Sequence, residues 1–81
     1  MSQRLGAPQV TWTLHESMLY ARTIIGDVCH HLVVERLPTN KKWEWVVWAL
    51  GTPPETARRG ITPSAETAMA QAQACVRDLA F

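Results

Sequence analysis

From Val10 to Leu50 apolar and polar positions largely alternate, the period of strands buried on one side. Val10, Trp12 and Leu14 interleave with Thr11, Thr13 and His15, which predicts a first strand, and His15-Glu16-Ser17 breaks it as a polar turn. Met18 to Ile25 is rich in β-branched and aromatic residues and predicts a second strand, with Val28 to Leu37 as the return strand. Gly26-Asp27 lies between them, and a two-residue loop opening on glycine suits a type II′ hairpin. Pro38-Thr39-Asn40-Lys41-Lys42 is the next turn, and Trp43 to Leu50 is a fourth, strongly apolar strand.

The pattern changes at Gly51. Gly51-Thr52-Pro53-Pro54 ends the sheet, because proline cannot donate to a ladder, and an irregular stretch follows to Gly60. Thr62-Pro63-Ser64-Ala65-Glu66 then carries the signals of a helix start: a hydroxyl cap, proline in the first turn, and an acid at the positive end of the dipole. Ala65, Ala68, Ala72, Cys75 and Leu79 recur every three or four residues, with Met69 and Val76 beside them, so one small-residue stripe can approach a sheet closely. The expectation is an α+β two-layer domain over 9–81, a four-stranded antiparallel β-meander with one C-terminal helix packed on one face, preceded by a flexible arm over 1–8.

The hairpin register assigns the faces. Ile25, Thr23, Ala21 and Leu19 pair with Val28, His30, Leu32 and Val34 on the more apolar face, which should lie under the helix with Trp43, Trp45, Val47, Ala49, Trp12 and Leu14. The other face carries Tyr20, Ile24, Val33, Val46, Trp48 and Leu50, broken by Arg22, His31, Glu35 and Glu44. One helix covers one side of a sheet, so this apolar set marks a protein-interaction surface unless loop 51–61 folds over it. The expected partner is a second copy or another protein.

Composition narrows the function classes. The chain has 81 residues, 47% apolar and 19% charged, with four Trp. That is enough for one folded domain, and a core of this size yields only ~3–5 kcal/mol. Eight basic against seven acidic residues leave a net charge of +1, which excludes a basic nucleic-acid tail by bulk charge. No stretch approaches the ~18 apolar residues of a membrane span. The first eight residues lack the apolar segment of a secretory signal, and Cys29 and Cys75 form no CxxC spacing. A cytoplasmic, non-membrane protein with reduced thiols is the expectation.

Trp12, Tyr20-Ala21, Leu32-Val33-Val34 and Trp43-Glu44-Trp45, followed by Ser64-Ala65-Glu66-Thr67-Ala68 and an Ala-rich helix, form an ordered set over residues 12–79. It resembles a pattern in short uncharacterised bacterial and phage-encoded proteins with a Trp-rich strand meander before a C-terminal helix. The resemblance implies that architecture and carries no catalytic residues.

Cys29-His30-His31 is the one local metal-like run. On a strand Cys29 and His31 share a face and His30 points away, whereas zinc wants four converging ligands. The expectation is therefore a packed cysteine and two hydrogen-bonded histidines, with no metal and no cofactor. Ser17 and Ser64 fall in a turn and at a helix cap, where serine serves the backbone, and no base accompanies either, so no enzyme activity is expected. Nucleic acid is the alternative partner. Aromatics on an open sheet can stack bases, and Lys41-Lys42 and Arg58-Arg59 are basic doublets. With strand four extended between them, however, the doublets stand at opposite ends, ~25 Å apart. The sequence thus reads as a small accessory protein that self-associates through its open face, with a nucleic-acid-binding regulator as the alternative.

Overall fold

The computed structural model describes residues 10–80, with backbone alone for 79 and 80. The arm expected over 1–8 lies outside the described residues. The chain forms β1 (Thr13–His15), β2 (Met18–Ile25), β3 (Val28–Arg36), β4 (Trp43–Ala49), a 3-10 turn at Pro54–Thr56, β5 (Arg58–Thr62) and α1 (Ala65–Ala80). All neighbours in the sheet are antiparallel and the spatial order is β1-β2-β3-β4-β5, a meander with α1 across one face. The α+β two-layer class is as expected, with five strands rather than four.

Local chemistry sets the register. Gly26 and Asp27 have φ of 59° and 69°. Both central residues are left-handed, so the hairpin turn is type I′ and not II′, with Asp tolerated at the second position. The loop is two residues long in either case, so the pairing runs as expected from Ile25↔Val28 to Met18↔Glu35. Asn40 Oδ1 accepts the Lys42 N–H at 3.0 Å and closes the β3–β4 turn.

The fifth strand was not foreseen. After the prolines the chain doubles back and pairs with β4 from Trp43↔Thr62 to Val47↔Arg58. Gly60, opposite Trp45, is what lets it come close: a Cβ there would lie 2.6 Å from Trp45 Nε1. The same glycine weakens the strand signal in the sequence. Charged Arg58 and Arg59 on this edge strand, and only three residues in β1 at the other edge, limit unwanted strand addition.

The core is the face assigned under the helix. Ala21, Leu32, Val34, Trp45 and Val47 from the sheet meet Ala68, Ala72 and Val76 from α1, all buried. Val76, rather than Cys75, continues the central stripe, and the Leu79 side chain lies outside the described set. Ser64 is the helix cap, its Oγ accepting the Thr67 N–H at 3.2 Å. Two tryptophans reach the helix with their polar ends: Trp45 Nε1–H donates to Gln71 Oε1 at 2.9 Å, and Trp12 Nε1–H donates to Gln73 Oε1 at 3.3 Å. Gln71 is exposed, as its place off the stripe implies, and its side-chain oxygen still reaches back to Trp45.

Leu14 departs from expectation. It pairs with Leu19 on the helix side, yet it is 69% exposed, because α1 packs mainly on β3, β4 and β5 and leaves Leu14 uncovered. His30 is on the core face as expected and only 5% exposed, but its Nδ1 has no hydrogen-bond partner among the described residues, contrary to the expectation of satisfied histidines. A buried polar atom left unpaired costs stability. His30→Met should therefore raise stability by about 1 kcal/mol, read as a higher denaturation midpoint at unchanged m-value.

Candidate functional site

The strand registers place the residues of the uncovered face in rows, with Met18, Glu35, Glu44 and Ile61 at one end and three more in succession after it. Tyr20, Val33, Val46 and Arg59 form one, Arg22, His31 and Trp48 the next, and Ile24 and Cys29 the third, where the Leu50 N–H bonds to the Cys29 carbonyl at 2.8 Å. All six residues expected on this surface, Tyr20, Ile24, Val33, Val46, Trp48 and Leu50, are wholly or partly exposed. Ile24 and Leu50 stand out at 70% and 64% exposure. β5 adds Arg59 and the exposed Ile61, neither of which the sequence reading placed here.

His31 lies at the middle of this patch, on the central strand of the sheet. Its ring stacks on Trp48 with centroids 5.2 Å apart and planes inclined by 20°. Its Nδ1 lies 2.6 Å from Tyr20 Oη, and its Nε2 lies 3.9 Å from Cys29 Sγ. Both imidazole nitrogens therefore have partners on the same face, and the ring is held flat by the tryptophan.

Glu35 and Glu44 are directly opposite each other on β3 and β4, while Arg22 pairs with His31. Neither acid is the direct cross-strand partner of Arg22 or His31. Arg59 instead reaches Glu44, at 4.0 Å.

The basic doublets are also rearranged. Because the chain doubles back, Arg58 and Arg59 pair with Val47 and Val46 instead of standing beyond the end of strand four. Consecutive strand residues point to opposite sides, so Arg59 joins the open face and Arg58 goes to the helix side. Lys41 and Lys42 remain in the exposed β3–β4 turn. The loop does not cover the open face. Thr52, Pro54 and Ala57 wall only the flank of Trp48, bounding with Arg59 a depression of about 280 Å³.

On the helix side a groove of about 360 Å³ is lined by Trp45, Arg58, Gln71, Ala74, Cys75 and Asp78. Burial pushes the Cys75 thiol up; Arg58 opposes that shift and Asp78 adds to it. A thiol held protonated makes a poor nucleophile. No three His, Cys, Asp or Glu side chains converge on a metal-sized point among the described residues. No helix among them is long and apolar enough to cross a membrane. Comparison with protein-family models, with curated proteins and with solved structures finds no match, so the arrangement of side chains on the open face carries the functional reading.

Proposed function

We propose that the chain is a non-enzymatic interaction protein that forms a homodimer through its open sheet face. The observation that carries this reading is the self-complementarity of that face about β3. A two-fold axis running along the central strand keeps each row in place and exchanges its two ends. Tyr20 then meets the Val46 of the second copy, Ile24 meets Leu50, and Arg22 lies over Trp48. The first two contacts are apolar, and the third lays the apolar stem of Arg22 along the indole. Aromatic and arginine anchors near the middle of an apolar patch fit interface anatomy.

Size supports the same reading. The five strands hold 32 residues between them, and at a rise of ~3.3 Å and a spacing of ~4.8 Å they cover a face of roughly 500 Å². Two such faces bury about 1,000 Å², near the lower bound of a specific interface. A reversible dimer is expected rather than an obligate one. The axis also sets Glu35 against its mate at the end of the face, where both carboxylates are exposed. Glu35→Gln should therefore tighten the dimer about twofold, roughly the few tenths of a kcal/mol that removing like-charge opposition yields.

The test is sedimentation of the wild type against a Val46→Asp, Trp48→Ser double variant, both checked for folding by circular dichroism. The wild type should sediment as a concentration-dependent dimer and the variant as a folded monomer. Identical behaviour of the two would remove the face from the account.

Arg59 favours a second reading. With Arg22 it adjoins the Tyr20–His31–Trp48 cluster, a layout that could hold a single nucleic-acid strand, with Lys41 and Lys42 in the β3–β4 turn and Arg58 on the opposite side of the sheet. Glu35 and Glu44 on the same face and a net charge of +1 weigh against it. Salt separates the two: phosphate contacts weaken steeply as salt rises, apolar association does not.

A further inference from the structure

We infer that Cys29 and His31 are half of a metal site, which a second copy of the chain completes with the same two residues to hold one zinc-like divalent cation on the two-fold axis. The inference rests on the homodimer proposed above and goes beyond it by naming a ligand.

The geometry within one chain already resembles a bound half-site. Zinc bonds of ~2.3 Å to sulfur and ~2.0 Å to nitrogen place tetrahedral ligand atoms about 3.5 Å apart. Cys29 Sγ and His31 Nε2 are 3.9 Å apart, so a shift of a few tenths of an ångström suffices. Nε2 is the nitrogen turned toward the sulfur, and Nδ1 is held by Tyr20 Oη at 2.6 Å. Zinc-bound imidazoles characteristically donate their second N–H to such a partner, which fixes the tautomer and the ring. Stacking on Trp48 fixes the plane as well.

Position completes the argument. Cys29 and His31 are on β3, the middle strand, so an axis along β3 faces each with its own counterpart. Packed sheets stand ~10 Å apart, and a midplane cation ~5 Å from each backbone is within reach of cysteine and histidine side chains. The four ligands are then two thiolates and two imidazoles, the Cys₂His₂ set of structural zinc. Ile24 and Leu50 flank Cys29 and would close around the cation as an apolar wall. On binding, each Cys29 thiol gives its proton to solvent and each His31 stays neutral, its Nδ1–H donating to Tyr20. One chain alone supplies two ligands, too few for a structural zinc site.

The experiment uses the reduced full-length protein with Zn²⁺, with Co²⁺ as a spectroscopic probe, and with a chelator. Expected are one metal per two chains, a thiolate-to-cobalt charge-transfer band with tetrahedral ligand-field bands, and a dimer at least about tenfold tighter with Zn²⁺ than with chelator. Cys29→Ser and His31→Gln should each abolish the charge-transfer band or the tetrahedral spectrum, Cys75→Ser should keep both, and Tyr20→Phe should bind metal roughly tenfold more weakly. A face-dependent dimer whose affinity ignores Zn²⁺, or a cobalt spectrum unchanged in Cys29→Ser, overturns the metal site and leaves the homodimer standing. A wild type that is monomeric both with Zn²⁺ and with chelator overturns both.

Discussion

Trp45→Ala should lower stability by ~3–5 kcal/mol, the cost of emptying a large aromatic site in a core. In a domain whose whole stability is of that order the variant is expected to be unfolded at room temperature. The ring earns this weight through three contacts. It is 9% exposed within the cluster of Leu32, Val34, Val47, Ala68, Ala72 and Val76. Its Nε1–H donates to Gln71, which ties β4 to α1. Its six-membered ring and nitrogen fill the space that Gly60 leaves, which ties β4 to β5. Thermal unfolding followed by circular dichroism reads the outcome. A midpoint equal to that of the wild type would show that Trp45 lies on the open side.

Gly60→Val should cost about 1–3 kcal/mol through overpacking. A Cβ at this position would come within 2.9 Å of three indole atoms of Trp45, and the ring, hydrogen-bonded and enclosed, has little room to yield. The effect should depend on its neighbour. In a Trp45→Leu background the added methyls meet a smaller side chain, so the cost of Gly60→Val falls by an amount that a double-mutant cycle measures. Equal costs in the two backgrounds would mean that the glycine serves its own backbone and not the tryptophan. Chemical denaturation of the four proteins supplies the numbers.

The legible and illegible parts of this fold differ for physical reasons. Strands β2, β3 and β4 declare themselves because each is longer than six residues and has one buried face, and a two-residue loop fixes the β2–β3 register whether its turn is I′ or II′. Strand β5 hides because Arg58-Arg59-Gly60-Ile61-Thr62 is short, follows two prolines, and contains a glycine chosen for the space beside Trp45. Its omission displaced Arg58 and Arg59 and hid Ile61 from the open face. Leu14 misled because alternation gives the side of a sheet but not how far the helix extends over it. The Tyr20–His31 and Cys29–His31 contacts could be placed on one face from the sequence, since these residues share parity in the register. Their distances could not, because rotamers follow from packing against Trp48 and not from spacing.

The homodimer through the open face is the central claim, and nuclear Overhauser contacts between copies test it most directly. A sample mixing isotope-labelled and unlabelled chains, recorded with isotope filtering, reports only proximities that cross from one copy to the other. The account predicts cross-copy contacts between the Ile24 and Leu50 methyls, between the Tyr20 ring and the Val46 methyls, and from the Trp48 ring to the Arg22 side chain. An absence of cross-copy contacts at a concentration where the protein sediments as a dimer, or contacts confined to β1, β5 or α1, would contradict it.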